Sequence, residues 1–136
     1  MSKPEQARIW TLNYQFLNRV LSECAADVEA LGVEVKEFFV LAEIEECRYP
    51  AELAIKLVLP KPTLTVYLKN LVAKQFVARE IDPDDLRRHR LVLTPAGADV
   101  LERALAILSA RFDARLTRLD AGERDDLARM LETLSG

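Results

Sequence analysis

Glycine is scarce, at four residues in 136, while half of the chain is hydrophobic. So apolar a chain buries a core and is not a disordered tether. Histidine occurs once, at His89, and cysteine twice, at Cys24 and Cys47. Neither cysteine has CxxC or metal-ligand spacing, so no metal site and no cofactor are expected. Both read as small buried apolar residues. No phosphate-cradling glycine loop or catalytic dyad accompanies His89, which reads as a loop bystander or phosphate contact, and no enzyme is expected. Long apolar runs are also missing: none nears the roughly 18 residues of a membrane span. The start, MSKPEQARIW, has no apolar signal region, so the expected address is the cytoplasm. The length fits one domain, 1–136.

What is present is helical periodicity. Ile9, Leu12, Phe16, Val20, Cys24 and Val28, widened by Leu17 and Leu21, predict a long first helix over 5–31 with Gly32 as its stop. Such a helix spans about 40 Å, more than a body of this size covers alone. A second helix is expected over 35–47, with Phe38, Phe39, Leu41, Ala42 and Ile44 inward and Glu37, Glu43, Glu45 and Glu46 outward. Pro50 opens a short third helix, and Pro60 forces Leu59 out of helical geometry. In the fourth, KPTLTVYLKNLVAKQ, Leu64, Leu68, Leu71 and Val72 make the apolar face. Pro62, Val66, Lys69, Asn70 and Ala73 point the other way, flanked by Thr63 and Thr65.

The period then changes. FVAREI and RLVLT read as two strands around DPDDLRRH, a hairpin with a charged tip. Helical stripes return to about residue 119, and Asp120 with Glu123 forms a capping box before Leu127, Leu131 and Leu134. The fold expected is mostly α with a small β-hairpin wing. It comprises a winged helix-turn-helix at 35–95 and long N- and C-terminal helices, 5–31 and 96–135.

Charge is segregated along this layout. Residues 61–90 carry seven Lys or Arg against four Asp or Glu, a net +3, and the other twelve basic and eighteen acidic residues leave −6. One explanation is a solvated loop in which Arg87, Arg88 and Arg90 pair with Asp82, Asp84 and Asp85. The other is DNA contact. A helix N-terminus fits the major groove, where Thr63 and Thr65 approach base edges and Val66 meets a thymine methyl group. Lys61, Lys69 and Asn70 reach phosphates or bases, and an arginine on a thin loop enters the narrow minor groove. Lys56 and Arg48 are weaker candidates for backbone contact.

Here the sequence resembles the MarR-type winged-helix transcriptional regulators over about residues 10–135. DPDDLRRHRLVLTPAG is similar to the family's wing, with Asp85, Arg87, Leu93, Thr94 and Gly97 at its characteristic positions. AELAIKLVLPKPTLTVYLKNLVAKQFVARE resembles its helix-turn-helix through Leu53, Ala54, Leu57, Thr63, Thr65, Leu71 and Arg79. The resemblance implies a homodimer on a near-palindromic double-stranded operator, usually as a repressor. It also implies that Asp85 orients Arg87 into the minor groove, that Arg88 and Arg90 touch phosphates, and that the terminal helices form the dimer interface. Three positions depart from the pattern: Pro60 where Ser often caps, Val66 where a basic residue is common, and Gln75 where Gly is usual.

Trp10, Tyr14, Phe38 and Phe39 have two readings. They pack the core or dimer seam, or they line a cleft for a small aromatic or amphipathic effector, as in many members of that family. A cysteine redox switch is disfavoured, because Glu23 and Asp27 beside Cys24, and Glu45 and Glu46 beside Cys47, raise a thiol pKa, although Arg48 opposes this at Cys47. The rival from another class is a winged-helix dimer that binds a protein partner and no DNA.

Overall fold

The computed structural model describes residues 4–136. Its elements are α1 (Glu5–Glu29), α2 (Val35–Glu43), α3 (Pro50–Leu57), α4 (Lys61–Ala73), β1 (Val77–Ile81), β2 (His89–Leu93), α5 (Pro95–Leu116) and α6 (Ala121–Ser135). The expected mostly helical, winged architecture is therefore the one observed. Strands β1 and β2 pair antiparallel, with Val77 opposite Leu93 and Ile81 opposite His89. No described helix is long and apolar enough to cross a membrane.

The core joins α2, α3, α4 and the hairpin through Phe38, Leu41, Leu53, Leu64, Leu68, Leu71, Val77 and Leu91, with Val100 and Ala104 of α5 against it. Each fully buried leucine contributes about 1.5–3 kcal/mol by leaving water. Helix α1 runs along α5 but buries only Val20, Cys24 and Val28, all in its second half. Its first half leaves Ile9, Trp10, Leu12 and Tyr14 more than half exposed. No residue of α6 is buried, although Met130, Leu131 and Leu134 keep its stripe apolar.

Two expectations need correction. The second helix stops at Glu43, not near Cys47, and a turn covers 44–46. The chain extends there because the Arg48 carbonyl accepts the Leu91 amide at 2.8 Å, adding a stub to the free edge of β2. Glu37, expected on the outward face, is 1% exposed. Its Oε1 accepts both the Glu34 amide at 2.9 Å and Lys74 Nζ at 2.6 Å. A charge leaves water only with such partners, and this pair ties the start of α2 to the end of α4.

Helices α3 and α4 end alike. After α3 the Leu59 amide reaches the Ala54 carbonyl and the Val58 amide the Ile55 carbonyl; after α4, Phe76 reaches Leu71 and Gln75 reaches Val72. Both are Schellman turns, which need a left-handed residue usually supplied by glycine. Here Val58 (φ 54°) and Gln75 (φ 64°) fill those positions. The family's usual glycine at position 75 is gone, yet the geometry is kept, at about 1–2 kcal/mol for the side chain. The β-branched Val58 is the more strained of the two.

Beyond Gln75 the chain is welded to α5. The Thr94 hydroxyl donates to the Gln75 carbonyl at 2.6 Å, and the Thr94 amide donates to the Phe76 carbonyl at 3.1 Å. Thr94 Oγ1 also caps α5 by accepting the Gly97 amide at 3.0 Å. A Cβ on Gly97 would sit 1.9 Å from the Phe76 carbonyl oxygen, so this position admits only glycine.

Gln75→Gly is expected to stabilise the fold by up to about 1 kcal/mol, the strain relieved less the greater backbone entropy of glycine in the unfolded chain. Gly97→Ala should lose about 2 kcal/mol or more, because backbone must shift to make room. Urea unfolding of the two variants measures both; equal midpoints would contradict this account of the junction.

Candidate nucleic-acid interface

Helix α4 buries Leu64, Leu68 and Leu71 and turns Lys61, Pro62, Thr65, Val66, Lys69 and Asn70 to solvent, with Thr63 half-buried between. The two faces predicted for this helix are thus realised except at Val72, expected on the apolar face and found exposed. Pro60 precedes the helix without a side-chain cap. The first-turn amides of Lys61 and Thr63 are therefore left to an outside acceptor, where the helix dipole favours an anion. Thr65 donates its hydroxyl to the Lys61 carbonyl at 2.9 Å, which fixes its rotamer and leaves its lone pairs outward.

The wing separates its arginines by environment. Arg87 is 95% exposed at the tip, where Asp85 accepts its backbone amide at 3.0 Å and approaches its Nε at 3.5 Å. Arg90 Nε donates to Glu80 across the hairpin at 2.6 Å. Arg88 folds back: its guanidinium lies 3.6 Å above the centre of the Tyr49 ring, and its Nη2 is 3.5 Å from Glu52 Oε1 of α3. Of the pairings a solvated loop would make, only that of Arg87 with Asp85 is present; Arg88 pairs with Glu52 and Arg90 with Glu80. His89 is exposed at the start of β2. Lys56 is engaged by Glu43 at 2.8 Å and Glu46 at 3.0 Å, and its pKa is pushed up by those contacts.

Asp82 anchors the wing base. It is buried, accepts the Tyr49 hydroxyl and takes the Asp84 amide at 2.8 Å, while its own amide donates to the Arg88 carbonyl at 2.9 Å. The Tyr49 hydroxyl and then the Asp84 amide hold its carboxyl below the ordinary range, and the same bond pushes the Tyr49 phenol up. Tyr49 and Glu52 were not singled out in the sequence, and Asp82 only as a partner for the wing arginines, since Tyr49 and Asp82 lie 33 residues apart with no local signal linking them.

The aromatic candidates are divided. Trp10 and Tyr14 stack with ring centres 6.0 Å apart on the exposed half of α1. Phe38 is buried in the core, with Phe39 beside it at 5.5 Å. Phe39 borders two cavities. One, of about 280 Å³, lies among Phe16, Leu17, Leu21, Leu108 and Phe112, and one of about 410 Å³ among Lys36, Leu57, Leu59 and Tyr67. Phe16, Phe112 and Tyr67 were missed, because a stripe residue gives no sign of which gap it borders. Cys24 is buried, and that burial, more than its acidic neighbours, raises its thiol pKa. Among the described residues no group of His, Cys, Asp and Glu is placed to hold a metal.

These elements define a winged helix-turn-helix protein. Residues 34–89 match the MarR family. Over 98% of its length it is similar to wild-type apo MarR from E. coli, covering 98% of that chain at 27% identity and TM-score 0.76. A mutant E. coli MarR complexed with operator DNA is similar at 24% identity and TM-score 0.80, with 96% of this chain and 95% of that one covered. The S. aureus MepR–DNA complex gives 20% identity and TM-score 0.77, over 92% and 94% of the two chains. No curated protein matches the sequence.

Asp82 makes stability at the wing base depend on pH. Its carboxylate favours the fold fully above its ordinary pKa, near 4, and that contribution is lost as pH falls through the lower folded value. Asp82→Asn should therefore be less stable than wild type at neutral pH, and the gap should close on acidification below about pH 4. Urea midpoints measured across that range give the comparison; a gap that stays constant would refute the assignment.

Proposed function

We propose that this chain is a non-enzymatic, sequence-specific DNA-binding transcriptional regulator of the MarR type, acting in the cytoplasm as a homodimeric repressor on a near-palindromic operator. The observation that carries the reading is the pairing of a polar, uncovered face on α4 with a wing whose Arg87 side chain is almost wholly in solvent. In the major groove, Thr63, Thr65, Val66 and Asn70 would meet base edges, while Lys61, Lys69 and the free first-turn amides would take phosphates. Arg87, steadied by Asp85, would enter the minor groove. The operator complex of a mutant MarR and the DNA complex of MepR support this placement by likeness of fold.

The uncovered stripes on α1 and α6 support the dimer. Exposed apolar faces of this extent mark association surfaces. A second copy would cover them and set two α4 helices about 34 Å apart, one helical turn of DNA. Of the two cavities beside Phe39, the one among Lys36, Leu57 and Tyr67 lies within the reading head, and the one among Phe16, Leu108 and Phe112 lies between the terminal helices and α2. A small aromatic or amphipathic effector seated there would favour a different head spacing and so release the operator.

Selection of bound genomic fragments tests the reading, and a shared near-palindromic site is the expected result. On the recovered site, Arg87→Ala should weaken binding about tenfold and flatten its salt dependence by about one ionic contact. Recovery of no common sequence would favour a winged-helix module that binds protein.

A further inference from the structure

The wing's second arginine is already occupied. Tyr49 is held in place by its hydroxyl on the buried Asp82, and its ring forms a preformed seat for the Arg88 guanidinium, 3.6 Å from its centre. Glu52, in the first turn of α3, closes that seat at 3.5 Å. Arg88 and Glu52 remain about half exposed, so the pair can open without unfolding anything. Arg87, one residue earlier, has only its local Asp85 and reaches fully into solvent.

We propose that Glu52 is a specificity-determining residue that acts as an internal competitor for phosphate, holding Arg88 back from DNA unless a well-fitted site displaces it. The inference rests on the DNA-binding reading above. A free arginine on a wing binds any duplex, because phosphate contacts carry no sequence information. A carboxylate seated on that arginine weakens such contacts. A loosely docked duplex leaves the Arg88–Glu52 pair closed; a close-fitting operator brings a phosphate near enough to replace it. The phosphate and Glu52 compete for the same guanidinium, and the Tyr49 ring supports the cation in either state.

The test uses full-length protein and a random-sequence duplex of about 30 base pairs, titrated at several salt concentrations. Glu52→Gln keeps the shape and removes the charge. It should tighten random-sequence binding about two- to fivefold, the scale of one exposed ion pair. It should also steepen the salt dependence by about one phosphate contact. In an Arg88→Gln background the same substitution should change neither quantity. Equal affinity of Glu52→Gln and wild type overturns the proposal. So does an undiminished gain in the Arg88→Gln background, which would show simple repulsion between Glu52 and DNA. If wild type binds no duplex at low salt, the regulator reading itself fails and takes this inference with it.

Discussion

The reading head hangs on one close approach, that of α5 to the Phe76 carbonyl. Gly97 brings the helix backbone against this oxygen, and Thr94 secures the junction with bonds to Gln75, Phe76 and Gly97. The end of α4, the root of β1 and the start of α5 meet at this spot. The aim of the wing relative to α4 is set there, because β1 leaves the junction and β2 returns to it. The left-handed Gln75 is tolerated because this network over-determines its conformation.

A second tie fixes the far side of the hairpin. The Arg48 carbonyl takes the Leu91 amide, and Tyr49 reaches the buried Asp82. The entry to α3 is thereby bound to the wing. The pair of the buried Glu37 with the exposed Lys74 does the same between α2 and the end of α4. Surface ion pairs of this kind contribute little to stability, but those with a buried partner fix where elements sit. A head built this way moves as one body, and only side chains at its surface, such as Arg88, have a choice of partners.

Much of this was legible in the sequence. Period-three and period-four spacing of Leu64, Leu68 and Leu71 gave the buried face of α4, and Asp120 with Glu123 gave the cap of α6. The β-branched and apolar residues of FVAREI and RLVLT, on either side of an Asp-Pro turn, gave the hairpin. These are local signals, written within one or two turns of chain. The tertiary choices were hidden for the opposite reason. Glu37 shares a spacing with Glu43, Glu45 and Glu46 that reads as a wet face, and its burial rests on Lys74, 37 residues on, together with the Glu34 amide. Arg88 sits in a basic run that reads as uniform, yet Tyr49 and Glu52 set it apart from Arg87. Position 75 shows both sides: its departure from glycine was visible, but not that the turn would survive it.

Helix α6 has a consequence of its own. It is 15 residues long, well capped by Asp120 and Glu123, and buries none of its side chains. A helix of that length is marginal in water without a packed face, since nucleation is costly and only tertiary cover repays it. Its order is therefore conditional on company. In a lone chain its backbone amides would trade hydrogen with solvent almost as freely as those of a short peptide, while α4 stayed protected. The C-terminal segment is thus the part of the molecule whose folding registers how many neighbours of suitable shape surround it.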